Sequence, residues 1–373
     1  MSPLISIIAI IIIYRISMTL SNFLNSQFFY ISIPYIGSLL GILLSTFVLP
    51  IELPDMMSRI FLTIFLFSIG YQTVPYLKKR FFIRMIWLIF VTALLMAGFE
   101  WISRFIPGEG GELLGSIFFA YNENVLEMFV PSERLTYFQY WGHLQLLIVF
   151  FITPLFLYFF ERVYRLSKKE VSQKESILTF RAKDKGTLMI IIGLWLVALT
   201  VITLSSFLKT ENFFIYDFVL GMISGMLFRL YQQRLNKPPA KKTLELVGMI
   251  GTLHLYIFII STIITSSHFV SLFTGTYFDL NVFVLFLLKT IFLMMGMLLV
   301  LPKLIRKWSG SEKMVAAVAI WTFSLNAPVV CMHGMRTAMN KWGSAPHVLF
   351  IIPPVILWLV NYVHAALLLI LQR

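Results

Sequence analysis

The sequence predicts an all-α polytopic membrane protein, with ten transmembrane helices arranged as two inverted five-helix repeats and a re-entrant segment before the last helix of each. Three observations lead there. Of 373 residues, 59% are hydrophobic and only 13% charged, with a mean hydropathy of +0.86, against about 25% charged in soluble domains. The apolar residues fall into runs close to the roughly 20 residues that cross a bilayer. The 30 Lys and Arg, set against 17 Asp and Glu for a net charge of +13, cluster between alternate runs. A soluble enzyme with one anchor is excluded. The basic balance reports orientation in a lipid bilayer, not nucleic acid as a partner.

Ten apolar runs are long enough to cross or nearly cross: Leu4 to Leu20, Phe28 to Leu49, Met57 to Val74, Phe81 to Ile102, Phe138 to Phe160, Leu188 to Leu208, Phe213 to Phe228, Leu244 to Thr265, Val282 to Leu301 and His347 to Leu371. The first has no basic leader or cleavage signature and is read as a retained helix, with Arg15 near its cytoplasmic end. Two further stretches, Leu113 to Val130 and Met314 to Val330, start apolar and turn polar halfway.

Loop charge orients the runs. Lys78, Lys79, Arg80 and Arg84 follow the third, Arg162 to Lys185 adds eight basic residues after the fifth, Arg229, Arg234, Lys237, Lys241 and Lys242 follow the seventh, and Lys303, Arg306, Lys307 and Lys313 the ninth. The alternate loops, near Glu52, Glu109, Glu211 and Asp279, are poor in Lys and Arg. The basic loops are therefore cytoplasmic and both termini extracytoplasmic. The alternation holds only if 113–130 and 314–330 each leave on the side they entered, the first from outside and the second from inside.

A charged linker, 165–186, separates a first repeat at 1–164 from a second at 187–373. At an offset of 200, Phe150, Ile152, Pro154 and Leu157 find Phe350, Ile352, Pro354 and Leu357, while Glu112 and Val130 find Glu312 and Val330. An odd number of crossings in each half makes the repeats inverted, the plan of many secondary transporters. Irregular backbone at membrane depth is tolerated only inside protein or beside a watery cavity, which points to transport.

Across nearly the whole chain the sequence resembles the bacterial sodium/glutamate symporter family. The run from Ser32 to Leu40 is similar to the family's P-E-P-V-x-G-G-L-L, Ser68-Ile69-Gly70 to its T-I-G, and Lys289-Thr290-Ile291-Phe292 to its Q-T-I-F. Phe218, Val219 and Gly225, then Gly343, Phe350, Pro353 and Ala365, keep family spacing. The resemblance implies a homodimer in a bacterial cytoplasmic membrane, with part of each half as scaffold and the re-entrant segments on the moving part. The departures fall where substrate would bind. The first glycine-rich pore loop is replaced by Ala120 to Leu126, and G-F-G-L-G-A becomes Thr322-Phe323-Ser324-Leu325-Asn326-Ala327.

The intramembrane polar residues are the candidate substrate and ion ligands. Asn122, Glu123 and Asn124 lie in the first re-entrant segment, where Glu123 and Glu127 would share a helical face; they form either a cation or proton site or a solvated loop tip near Glu133 and Arg134. Lys289, near mid-membrane, either supplies a fixed positive charge where a relative would bind a sodium ion or binds an anionic substrate group, or else forms a structural ion pair or snorkels towards an aqueous cavity. Thr322, Ser324 and Asn326 are expected to line a cavity. Asn361 stands where the family carries an aspartate, which leaves coupling to sodium or to protons open. His143, His254 and His364 are read as packing before proton carriage. No Cys-based metal site or internal disulfide can form around the single Cys331, and no cofactor is implied.

The leading expectation is a secondary active transporter of a small organic solute, an amino acid or other carboxylate, working by alternating access. The alternative on the same fold is a non-transporting scaffold, receptor or partner subunit, which the replaced glycines favour. An enzyme would need a nucleophile or a His and carboxylate constellation, and the sequence presents none.

Overall fold

The structure, a computed structural model, describes residues 3–24, 32–48, 50–73, 90, 135–164, 185–208, 217–235, 239–273, 277–304, 308–325, 327–343, 345 and 348. Among them the regular structure is helical: α1 (Pro3–Leu24), α2 (Ile33–Phe47), α3 (Asp55–Thr73), α4 (Leu135–Tyr164), α5 (Lys185–Leu208), α6 (Asp217–Arg234), α7 (Lys241–Phe273), α8 (Leu280–Leu304), α9 (Gly310–Ser324) and α10 (Pro328–Trp342). Five of these, α1, α4, α5, α7 and α8, are long and apolar enough to cross a membrane, which marks a multi-pass membrane protein. The expected spans 81–102 and 347–371 and the first re-entrant segment lie outside the described helices.

Several expected boundaries move for local reasons. The second span shortens to α2 because Ser32 is extended (φ −73°, ψ 151°) and Pro34 sits in the first helical turn, where a missing N–H costs nothing. The seventh is described as a helix from Asp217 and runs past Phe228 to Arg234, with an acid at Asp217 and a base in its last turn, as the helix dipole favours. The eighth runs to 33 residues in α7. The fifth, α4, has 30 residues with Pro154 inside it.

Side-chain placement in α1 inverts the pattern of a soluble helix. Its buried face reads Ser6, Ile10, Ile13, Ser17 and Ser21, while Leu4, Ile5, Ile8, Ile11, Ile12, Ile16, Leu20 and Phe23 are exposed. Hydrocarbon gives no reward for hiding leucine, so three serines share the helix contacts with Ile10 and Ile13 while most of the large apolar residues face outward. The start of α1 lies against the connection between α2 and α3: the backbone N–H of Glu52 donates to Ser6 Oγ at 3.4 Å, and that of Ile51 to Ser45 Oγ at 2.9 Å.

Two compact units each draw on both halves of the sequence: Met1–Lys78 with Ser172–Ile264, and Lys79–Val171 with Thr265–Arg373.

In the first unit α3 and α6 pack closely and run parallel. Arg59 Nε meets Asp217 Oδ2 at 2.5 Å at one end, and Tyr71 OH donates to Gln232 Oε1 at 2.8 Å at the other. Between them a Cβ on Gly225 would overlap the Phe67 carbonyl oxygen, one on Gly70 the Met222 carbonyl oxygen, and one on Gly221 would come 2.8 Å from Thr63 Cγ2. Glycine is needed here for approach. The same spacing recurs in α2, where Gly37 faces Ile260 and Gly41 faces Ile264 of α7, again in parallel. By contrast α3 and α7 run antiparallel, Ser68 lying against Gly251 and Gln72 against Gly248, with Gln72 Nε2 donating to the Leu244 carbonyl at 2.9 Å.

The second unit holds α4, α8, α9, α10 and the end of α7 from residue 265. Helices α9 and α10 form an antiparallel hairpin that packs on α4, with α8 against both α4 and α9.

Candidate functional site at the hairpin tip

The hairpin turns at Leu325 to Ala327. Pro328 opens α10, the Ala327 N–H donates to the Thr322 carbonyl at 2.9 Å, and that of Cys331 donates to the Ala327 carbonyl at 2.9 Å. A capping box starts α9: Ser309 N–H and Oγ both donate to Glu312 Oε2, at 3.0 and 2.9 Å. Gly343, with φ 106°, ends α10, a left-handed value that glycine takes without strain. Close packing of the arms rests on Ala316, Ala317 and Ala319, all fully buried, and on Gly334, whose Cβ would lie 2.8 Å from Val318 and 3.4 Å from Thr153 of α4.

Each arm has 15 residues, about 22 Å at 1.5 Å per residue, short of a 30 Å core. Its base and tip are fixed along α4. At the base Lys341 Nζ meets Glu161 Oε2 at 2.7 Å, with both side chains largely buried. At the tip the Gln145 side-chain amide donates to the Leu325 carbonyl. Between these, Trp321 stacks on Phe156 (centroids 4.3 Å apart, planes 4° apart) and His333 lies 5.3 Å from Phe150.

Buried polar atoms without partners among the described residues lie on α4 at and one turn before Gln145. Gln145 Oε1, Tyr140 OH and Trp141 Nε1, on neighbouring turns of α4, are buried and make no hydrogen bond among the described residues. Such a group costs about 1–3 kcal/mol if nothing else satisfies it. Together they offer two donors and an acceptor to a ligand or to water. Lys289 is 1% exposed, on the face of α8 that also buries Val282, Phe286, Leu293 and Met297. It lies nine residues into that helix, about 13 Å along its axis.

Of the sequence candidates, Thr322 is fully buried at the tip, but its hydroxyl hydrogen goes to its own helix: Oγ1 lies 2.6 Å from the Val318 carbonyl and 3.1 Å from that of Ala319. Ser324 is the last residue of α9. Asn122, Glu123, Asn124, Asn326 and Asn361 lie outside the described residues, as do Glu127 and His364. The packing reading of two histidines is supported: His143 Nδ1 is 3.0 Å from Ser266 Oγ and its ring 4.6 Å from Phe269, and His254 Nδ1 is 2.7 Å from the Ile250 carbonyl. Cys331 is fully buried, its sulfur 3.4 Å from Met335 Sδ, so an intermolecular disulfide is closed to it as well. Among the described residues no cluster of His, Cys, Asp and Glu could hold a metal ion.

Sequence reading missed Gln145, Tyr140 and Trp141. A glutamine in the middle of a long apolar run was the available signal. No family model, curated protein or solved structure matches the chain.

Proposed function

We propose that the chain is a secondary active transporter of a small organic solute, an amino acid or other carboxylate, that works by alternating access in a bacterial cytoplasmic membrane. The observation that carries the reading is the hairpin tip: a break in helical backbone held by Gln145, whose side-chain oxygen, like Tyr140 OH and Trp141 Nε1 one turn earlier on α4, is buried without a partner among the described residues. In this reading the hairpin is the second re-entrant segment, extended to 310–342. It enters from the side of Glu161 and Lys341, which is the end of α4 that leads into the basic linker. Lys289 supplies the positive charge for the solute's carboxylate, and the hairpin-bearing unit carries the solute.

The inverted-repeat reading gains two supports. Gly37 and Gly41 in α2 and Gly221 and Gly225 in α6 make equivalent parallel contacts, as expected if the second and seventh spans are repeat mates. Parallel packing of α3 and α6 also requires an odd number of crossings between them, which ten spans satisfy. A homodimer remains part of the proposal by family resemblance.

Thermal unfolding of purified protein against amino acids, dicarboxylates, sodium and protons tests this, since a ligand stabilises what it binds. A carboxylate that raises the melting temperature of wild type but not of Lys289→Gln or Gln145→Leu supports the reading; no ligand shift, with no uptake in vesicles, sinks it. The stack of Trp321 on Phe156 favours the second reading, a non-transporting scaffold or partner subunit, because it fills space beside the tip with aromatic rings.

A further inference from the structure

We propose that Arg229 is the core of a binding site for a phosphate ester anion, the headgroup of an anionic phospholipid, on the basic face of the first unit. Arg229 lies in α6 and is only 7% exposed. Its Nε and Nη1 are buried and have no acceptor among the described residues. The Tyr71 ring lies 5.7 Å from its Cζ, and the Tyr71 hydroxyl is turned to Gln232 at 2.8 Å. The ring covers the cation without neutralising it, so the N–H edge remains for an anion. A planar guanidinium suits phosphate oxygens in particular.

The surroundings favour a lipid as the source of that phosphate. Leu227, Phe228 and Tyr231, on the turns around Arg229, are 60%, 50% and 60% exposed, a surface for acyl chains. Arg234 and Lys242 are exposed close by in sequence. Basic pockets between membrane helices on the cytoplasmic side are where anionic headgroups bind. By contrast Arg59, at the other end of the same helix pair, already has Asp217 at 2.5 Å. Among the described residues, the cytoplasmic end of the pair leaves its arginine without a carboxylate.

The test uses the purified full chain in a neutral detergent, with thermal unfolding followed after adding phosphatidylglycerol, phosphatidylcholine or inorganic phosphate. Phosphatidylglycerol is expected to raise the melting temperature by about 3 °C more than phosphatidylcholine, in a saturable way, with inorganic phosphate ineffective. Arg229→Met is expected to keep or raise the lipid-free melting temperature, because an apolar side chain replaces a buried charge, and to lose the phosphatidylglycerol increment. Arg229→Lys keeps the charge without the planar fork and should need several-fold more lipid for half-saturation, which provides a readout should the methionine variant fail to fold. An increment unchanged in either variant overturns the site. An equal rise with inorganic phosphate overturns the lipid assignment and leaves a soluble phosphate ion as the ligand.

Discussion

Replacing Gly225 by alanine adds one methyl group where α6 lies directly against the backbone of α3. That methyl would overlap the Phe67 carbonyl oxygen and come 2.9 Å from the Tyr71 nitrogen and 3.1 Å from the Phe67 carbonyl carbon. All are backbone atoms of α3, and none can rotate away. Ordinary contact needs about 3.4 Å, and the Phe67 oxygen falls short of it by the most, so α3 and α6 must part by about 1 Å. Parting also stretches the Arg59–Asp217 and Tyr71–Gln232 contacts at the two ends. Overpacking costs about 1–3 kcal/mol, and rigid neighbours put this case near the top. Alanine's better helix propensity returns about 1 kcal/mol, leaving a loss of about 2 kcal/mol. Gly193→Ala in α5 is the control, because its added methyl meets no atom within 4 Å and only the propensity gain remains. The two variants should differ by about 3 kcal/mol, or roughly 6 °C in detergent-solubilised melting. Gly41→Ala should fall between them, since its main obstacle is the end of the Ile264 side chain. If Gly225→Ala melts indistinguishably from Gly193→Ala, the close parallel packing of α3 on α6 is wrong.

Three more outcomes bear on the hairpin. Cys331 should resist maleimide in native protein and react in full on denaturation; rapid native labelling would mean that α9 and α10 do not enclose it. Lys341→Ala should lower stability by about 0.5–1 kcal/mol, and the exchanged pair Lys341→Glu with Glu161→Lys should recover most of it, as measured by melting of the single and double variants. Gln145→Leu should remove solute-dependent stabilisation while lowering ligand-free stability by about 1 kcal/mol or less, because losing the bond to Leu325 is offset by burying no unsatisfied oxygen; an unchanged ligand shift would move the site elsewhere.

Long apolar runs made α1, α5 and α8 legible within a few residues, since hydropathy alone separates lipid-facing helix from loop. The return arm of the hairpin was not. From Pro328 to Trp342 it carries His333, Arg336, Thr337, Asn340 and Lys341, and a hydropathy reading ends the segment at Val330. Those residues are tolerated because α4 and α9, rather than lipid, surround the arm. Gln145 was hidden for a related reason: its partner lies 180 positions away, and no local pattern announces such a contact. Glu312 was read as a repeat match, whereas Ser309 three residues before it shows its local role as a cap. Thr322 was read as cavity-lining, and spacing could not reveal that it sits within the last turn of α9 with its proton donated to the Val318 and Ala319 carbonyls.

The arrangement of α3 also sets an order for assembly. Its Arg59 waits for Asp217, 158 residues later in the chain, and its Gln72 waits for Leu244, 172 residues later. At about 5–20 residues per second of synthesis, each partner emerges roughly 8 to 35 s after α3 has been made. During that interval α3 must hold a guanidinium and a side-chain amide in the nascent membrane protein without their final acceptors. Truncation before residue 217 should therefore leave α3 poorly retained in the bilayer, a dependence that would show as protease sensitivity in stalled chains and disappear once α6 and the start of α7 have been added.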